Sequence, residues 1–492
     1  MGRRAWRRAV ERITGERIAV ERFAVGRITA ERSAVELQGC ERKGREPQGL
    51  ERSGVACRPG AVGAVMRAAV RVVAVAAVVC VSSATLPGAV AVAAVPSYGF
   101  ADDARSVPAA TGTGDAVRLE PGTTYRSSYT AEGEAYYRLE LDAVSTAYVS
   151  VTAVPRPDAA LESGDGIRVS VENADGIGCS HESVTVGASR TPRPITTWGA
   201  REIQPGKRLC QEAGTYYVVV ERTDTGTGAD SRQRWELELV PVSEPPLEKA
   251  GATSVPEAWN SATPAPPVAE PVRRRGGSGF AGATALGQGV WRDDISPGQT
   301  LFYKVPVGWG QQLYATADLD SADKDTGFVV PALDMTLHNP VRAEVVETSI
   351  GYGGRQTSTS LAPLPPVRHA NRYAPTVPAR TLRFAGSYYL VLHLSARVAD
   401  GFGDGPYGLK LRIRVDGAAQ PGPGYAGRSV PRGVFGADAR DRQDAGSGTG
   451  AVGGGGAGDG TAMKALAAGG IGTGSALLLV LAVWTVTARR RA

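Results

Sequence analysis

The chain has 492 residues, 42% of them hydrophobic, which is length for two or three domains with a core in each and excludes a wholly disordered chain. With 63 Gly and 32 Pro against only 4 His and 5 Cys, histidine and cysteine chemistry has few candidates. The formal net charge of +6 arises in residues 1–65, which hold 14 basic and 8 acidic side chains, while residues 92–463 hold 35 basic and 41 acidic ones; no nucleic-acid partner is therefore expected.

Residues 1–65 repeat with period five, as in Glu11-Arg-Ile-Thr-Gly, Glu16-Arg-Ile-Ala-Val and Glu21-Arg-Phe-Ala-Val. That period matches neither helix nor strand. Glu11, Glu16 and Glu21 stand where a pentapeptide-repeat β-helix needs a small residue, so this leader is expected to be disordered or untranslated, with Met66 as the working start. From Met66 the chain reads Met-Arg-Ala-Ala-Val-Arg, then an apolar run over Val72 to Val81, then Pro87-Gly88 and Ala89-Val90-Ala91. A positive start, an apolar run too short to span a membrane and small residues before a cut after Ala91 predict a secretory signal peptide over 66–91. Val79 before Cys80 is too large for a lipoprotein signal.

Two stretches, 114–242 and 285–417, read as strands: short Val/Tyr/Leu-rich runs bounded by Gly, Pro, Asp and Asn. They also match each other. Ala135-Tyr-Tyr-Arg-Leu pairs with Leu301-Phe-Tyr-Lys-Val, Gly166 to Asn173 with Ala332 to Asn339, Ala213-Gly-Thr-Tyr-Tyr with Ala385-Gly-Ser-Tyr-Tyr, and Trp235-Glu-Leu-Glu-Leu with Gly408-Leu-Lys-Leu-Arg. The expected fold is all-β, with two tandem, jelly-roll-like β-sandwich domains. On these motifs both stretches resemble the bacterial pre-peptidase C-terminal domain, a small β-sandwich appended to secreted enzymes. The resemblance implies an accessory role in binding or stability; 180–200 and 342–380 stand out as long insertions against that pattern.

Cys179 and Cys210 are the only cysteines of the expected exported part, and outside the cell a disulfide is their natural state. The alternative, two reactive thiols, lacks a Cys-x-x-Cys or a flanking His. Between the modules, 243–284 with its Pro pairs and Arg273-Arg274-Arg275 reads as a semi-extended linker separating them. Residues 418–463, rich in Gly and Asp, read as a flexible stalk. Then 465–488 carry no charge before Arg489-Arg490-Arg491, which predicts a C-terminal transmembrane helix, a cytoplasmic tail over 489–492 and an extracellular body. Leu466-Ala-Ala-Gly-Gly resembles a sortase signal but lacks the Thr that sortase attacks.

No His-Glu-x-x-His, Gly-x-Ser-x-Gly or Walker loop is present, so no enzyme and no cofactor are expected. His181, His338, His369 and His393 stand isolated, with His393 on a strand surface. Asp318, Asp320, Asp323 and Asp325 form a weak calcium run whose spacing fails the EF-hand pattern, and a solvated loop is favoured. Trp198, Trp291 and Trp309 are the aromatic candidates for a sugar platform, weighed against core packing. The functional expectation is a non-enzymatic envelope protein on the plasma membrane of an actinobacterial-type, high-GC organism, presenting two extracellular modules to a protein partner of the envelope. An accessory module of an envelope hydrolase or peptidase system and a glycan-binding surface protein are the alternatives.

Overall fold

Alternating apolar and polar residues, such as Leu409-Lys-Leu-Arg-Ile-Arg-Val, give strands with one buried face, and in the computed structural model such strands build two β-sandwiches. The structure describes residues 98–130, 133–223, 233–254, 258–323, 327–437 and 439–447. The repetitive leader (1–65), the signal peptide (66–91), the apolar segment 465–488 and the tail 489–492 lie outside the described residues. Among the described residues no helix is long and apolar enough to cross a membrane.

In the first module β1 (Arg105–Ser106), β3 (Tyr125–Tyr129), β10 (Trp235–Glu244), β5 (Thr146–Val154) and β8 (Ile195–Arg201) form one sheet in that order. The facing sheet is β2 (Val117–Arg118), β4 (Glu134–Leu141), β9 (Gly214–Thr223), β6 (Gly166–Asn173) and β7 (Gly178–Thr185). In the second module β11 (Val272–Arg273), β13 (Gly289–Ile295), β20 (Tyr407–Asp416), β15 (Gln312–Leu319) and β18 (Thr357–Ser360) face β12 (Thr284–Ala285), β14 (Thr300–Val307), β19 (Gly386–Leu394), β16 (Val329–His338) and β17 (Glu344–Tyr352). Adding ten to a strand number of module 1 gives its counterpart in module 2. Setting aside the short parallel edge strands, the orders 3-10-5-8 and 4-9-6-7 are of the jelly-roll kind.

The duplication holds in register. Arg138 opposite Tyr217 recurs as Lys304 opposite Tyr389, and Trp235 opposite Tyr129 recurs as Tyr407 opposite Ile295. The pairing of Trp235 with Gly408 drawn from sequence is thus off by one: Tyr407 is the counterpart, which puts Leu237 and Leu239 in line with the buried Leu409 and Leu411. Hydrogen bonds repeat as well. The Tyr137 hydroxyl donates to Ser127 Oγ at 2.8 Å, as Tyr303 does to Asp293 Oδ2 at 2.8 Å. Behind the Ala-Gly-x-Tyr motif, Tyr216 and Tyr388 donate to the carbonyls of Glu212 and Phe384, four residues back, at 2.8 and 2.7 Å. This ties the strand start to its own loop in the manner of a tyrosine corner. The motif glycines, Gly214 (φ +149°) and Gly386 (φ +142°), adopt backbone that a side chain would strain.

The stretches 180–200 and 342–380 are built into the sandwiches: they supply much of β7, β8, β17 and β18, the strands that close one end of each. At the linker and the stalk the structure differs from the sequence reading. The linker is ordered sheet at both ends, since β10 runs to Glu244 and β11 begins at Val272. It also does not separate the modules, which belong to one compact unit. Finally, residues expected in the stalk return to the body. The Val430 amide donates to the Ser243 carbonyl at 3.0 Å, Gln420 to Trp309 at 2.8 Å and Gly287 to Ala445 at 3.0 Å, and Phe435 is buried.

The outer face of the β1-β3-β10-β5-β8 sheet is therefore covered. Tyr148, Ala200 and Val242 of module 1 pack with Val341, Ala343 and Phe384 of module 2 and with Phe435. This explains β5, where Tyr148, Ser150 and Thr152 on the face away from the core are as buried as Val149 and Val151.

Candidate functional site

Burying polar sheet faces between two modules leaves charges that must find partners, and three clusters do so. Glu238 of β10 is fully buried and accepts from the Tyr98 hydroxyl (3.0 Å), the Ala101 amide (3.1 Å) and Arg342 Nη1 of module 2 (2.5 Å). Glu244 accepts from the Tyr148 hydroxyl (2.7 Å), Arg372 Nη2 (2.9 Å) and the Tyr425 hydroxyl (2.9 Å). Burial pushes the Glu244 carboxyl up, but Arg372 and the Tyr148 hydrogen bond, with Arg383 and His369 adding to them, hold it below the ordinary range. Arg193 of module 1 pairs with Asp334 and Glu347 of module 2. His393, expected on a strand surface, does face out of its own sandwich, where module 1 covers it: it bonds Thr191 Oγ1 at 3.0 Å and Thr300 Oγ1 at 2.9 Å. Burial drives its pKa down to about 3.

Beside these clusters the modules leave a cleft of about 450 Å³. Module 1 contributes Ser180, Glu182 and Ser183 of β7, Thr196 and Trp198 of β8, and Glu202, Gln204 and Lys207 of the loop that follows. Module 2 contributes Glu344 and Val345 of β17, Arg372, Arg383, and Val377, Arg380 and Thr381 of α1 (Val377–Thr381). The Cys179–Cys210 disulfide, with Cα atoms 5.7 Å apart, fastens the β7 edge to the loop that carries Lys207. It stabilises one wall of the cleft.

Two kinds of charge line it. Arg383 donates to Glu202 Oε1 at 2.6 Å, and its guanidinium lies 5.4 and 5.6 Å from the Tyr148 and Trp198 ring centroids; Arg372 is committed to Glu244. Glu182, Glu344, Lys207 and Arg380, by contrast, have no side-chain hydrogen bond or ion pair among the described residues. Glu344 is set apart by its burial. Burial, with Glu347 and Glu182 adding to it against Arg193, pushes its carboxyl up to about 7. Ser180 Oγ accepts the Ala200 amide at 2.7 Å, and the lining includes no histidine to act as its base.

Of the residues singled out from sequence, Cys179 and Cys210 form the expected disulfide and Trp198 reaches the cleft, half-buried. Trp291 is 6% exposed, with its indole nitrogen donating to the Gly287 carbonyl at 3.0 Å. Trp309 packs against the second core. Neither ring is a free platform. Asp318 is buried and pairs with Arg412 Nη1 at 2.5 Å and Ser358 Oγ at 2.7 Å; Asp320 and Asp323 are exposed, and Asp325 lies outside the described residues. Among the described residues no group of three or more His, Cys, Asp or Glu could hold a metal ion. Glu344, Arg372, Arg380 and Arg383 went unread in sequence, since all lie in or beside a stretch taken for an insertion.

No protein-family model matches the sequence, and no curated protein does either. Among solved structures the chain is similar to tripeptidyl peptidase 2, at 9% identity and a TM-score of 0.18, covering 61% of this chain and 24% of that one. It thus spans about a quarter of that peptidase. It is also similar to the CBM22-1-CBM22-2 tandem of Paenibacillus barcinonensis Xyn10C, at 10% identity and a TM-score of 0.16 over 58% of this chain and 83% of that one. A third is the ANXUR2 extracellular domain of Arabidopsis thaliana, at 11% and 0.18 over 61% and 86%. At such scores the likenesses carry no argument about function.

Proposed function

We propose that the protein is a non-enzymatic binding protein of the cell envelope in which two β-sandwich modules, locked face to face, present one ligand site at their junction. The observation that carries this reading is the cleft itself. It is walled by both modules, within the size range of small-ligand pockets, braced by a disulfide, and lined by an aromatic ring and four charges that the fold leaves unpaired. An accessory role, as the resemblance to pre-peptidase C-terminal domains implies, fits such a site. Export through the signal peptide over 66–91 and anchorage by 465–488, with the body outside a plasma membrane of actinobacterial type, complete the proposal; both rest on sequence, and the disulfide suits an oxidising compartment.

Hydroxyl-radical footprinting of the purified protein, with and without a low-molecular-mass fraction of envelope extract, tests this reading. Protection confined to Trp198 and Val377 is expected, with the bound compound recovered unchanged. Protection elsewhere with the cleft unaltered would remove the site, and steady conversion of the compound would remove the non-enzymatic reading.

A further inference from the structure

The four unpaired charges of the cleft fall into two groups. Glu182 and Glu344 stand together: the charges that act on Glu344 are Glu347, Arg193 and Glu182, and Arg193 is already held by Asp334 and Glu347. Lys207 instead acts on Glu202, whose carboxyl is bound to Arg383, and Arg380 precedes Arg383 by three residues at the end of α1. The cleft thus presents a pair of carboxylates and, apart from them, two cations. Trp198, Val345 and Val377 provide its apolar lining.

Glu182, Lys207 and Arg380 are exposed to water at the cleft and none of the four charges is committed to a protein partner, so a ligand that carries both signs of charge can engage them together. A neutral sugar satisfies neither group, and a simple anion or cation satisfies one while meeting repulsion at the other. We propose, resting on the cleft being the ligand site, that it binds a short zwitterionic peptide, with a free ammonium between Glu182 and Glu344, a carboxylate at Lys207 and Arg380, and the chain between them over Trp198. Charge-assisted hydrogen bonds at both ends give such a ligand orientation as well as affinity, and the volume admits a few residues. An ammonium beside Glu344 favours its charged form. Binding near neutral pH therefore releases a proton from that carboxyl, and affinity rises from about pH 6 to 7, below the range in which the ligand's own α-amine loses its proton.

Titration calorimetry of the full-length protein with Ala-Ala-Ala, N-acetyl-Ala-Ala-Ala, Ala-Ala-Ala-amide and tri-N-acetylchitotriose separates the outcomes. The free tripeptide is expected to bind, each blocked form at least tenfold more weakly. Glu344→Gln should weaken the free tripeptide and the amide at least fivefold without further weakening the acetylated form; the double variant Lys207→Ala/Arg380→Ala should do the reverse. Runs in buffers of different ionisation heat should show proton release that Glu344→Gln abolishes. Equal affinity for free and blocked peptides, or no peptide binding, overturns the proposal. If tri-N-acetylchitotriose alone binds and protects Trp198, the cleft remains a ligand site and only the peptide assignment fails. If neither these probes nor the envelope fraction protects the cleft, both readings fall.

Discussion

Replacing Arg383 by Met should unlock the two modules. The guanidinium is 2% exposed and its partner Glu202 17% exposed, so the pair is desolvated at both ends. Burial raises the Glu202 carboxyl, and the charge and hydrogen bond of Arg383, with Lys207 and Arg372 adding to them, together bring it below its ordinary value. Removing one partner of such a pair leaves a buried, uncompensated charge, at a cost of about 3–5 kcal/mol, and Arg383→Met additionally loses the cation–π contacts with Tyr148 and Trp198. Glu202→Gln should cost a similar amount, because it strands Arg383. The double variant removes both charges, so its cost should fall short of the sum by at least about 2 kcal/mol. Urea denaturation followed by tryptophan fluorescence reads all three, Trp198 and Trp235 reporting module 1, Trp291 and Trp309 module 2. The wild-type protein should unfold in one transition and Arg383→Met in two, as the coupling between modules is lost. Arg156 and Asp158, an exposed pair at 62% and 65%, provide the control, with no measurable effect expected of a pair screened by water. Additive single variants and one shared transition throughout would refute the claim that this pair couples the modules.

Reducing the Cys179–Cys210 disulfide, or replacing both cysteines by Ser, should destabilise module 1 by about 3–4 kcal/mol for a separation of 31 residues, and non-reducing mass spectrometry should show the linked peptide; an unchanged urea midpoint would count against it. Gly214→Ala and Gly386→Ala impose similar backbone strain, but a Cβ meets nothing within 4 Å at Gly214 and lies 2.4 Å from the Val434 carbonyl oxygen at Gly386. The second should be clearly the more destabilising, and equal costs would mean that 418–437 does not pack on module 2. His393, held neutral by burial, has a folded pKa near 3, below its unfolded value, so its contribution is complete above about pH 6.5 and is lost as pH falls toward the folded value. His393→Gln should flatten the decline in stability between pH 6 and 4 by about 1.4 kcal/mol per pH unit, and parallel curves would refute this. Glu344 runs the other way. Its pKa is raised from 4.5 to about 7, so the stability it contributes in acid is lost as pH rises between those values, and Glu344→Gln should raise the unfolding free energy at pH 8 by about 1–3 kcal/mol, with most of the gain gone at pH 5.

The sandwiches were legible because their inner faces obey a period of two. Tyr137, Leu139, Val169, Val171, Leu409 and Leu411 alternate with polar neighbours, and all are buried. The repeat was legible for the same reason, though not to the residue. Matching Trp235 with Gly408 sets Leu237 and Leu239 against Lys410 and Arg412, and such a slip of one moves every side chain to the other face. The hydrogen-bonded register restores Tyr407, and with it the match of leucine to leucine. The disulfide followed from compartment and count, whereas Trp291 and Trp309 show that a tryptophan in a strand-rich stretch gives no sign of whether its ring is free.

The cleft was illegible for a deeper reason. Alternation marks which face of a strand meets its own core, and the opposite face then reads as solvent. In β5 that face is Tyr148, Ser150 and Thr152, an ordinary polar surface by sequence, yet all three are buried at the junction. Thr152 finds its partner in Thr196 at 2.9 Å and Tyr148 in Glu244 at 2.7 Å. The information lies in the relation between outward faces whose contacting residues stand 104 to 202 positions apart, which no local period expresses. What the sequence does contain is the residue types: Glu202, Glu244 and Glu238 on one side, Arg383, Arg372 and Arg342 on the other, each pair matched in charge. The exceptions to that matching are Glu182, Glu344, Lys207 and Arg380. Glu344 is held at a cost in stability that Gln would relieve, and a carboxyl kept where it destabilises its own fold is best explained by something it must meet there.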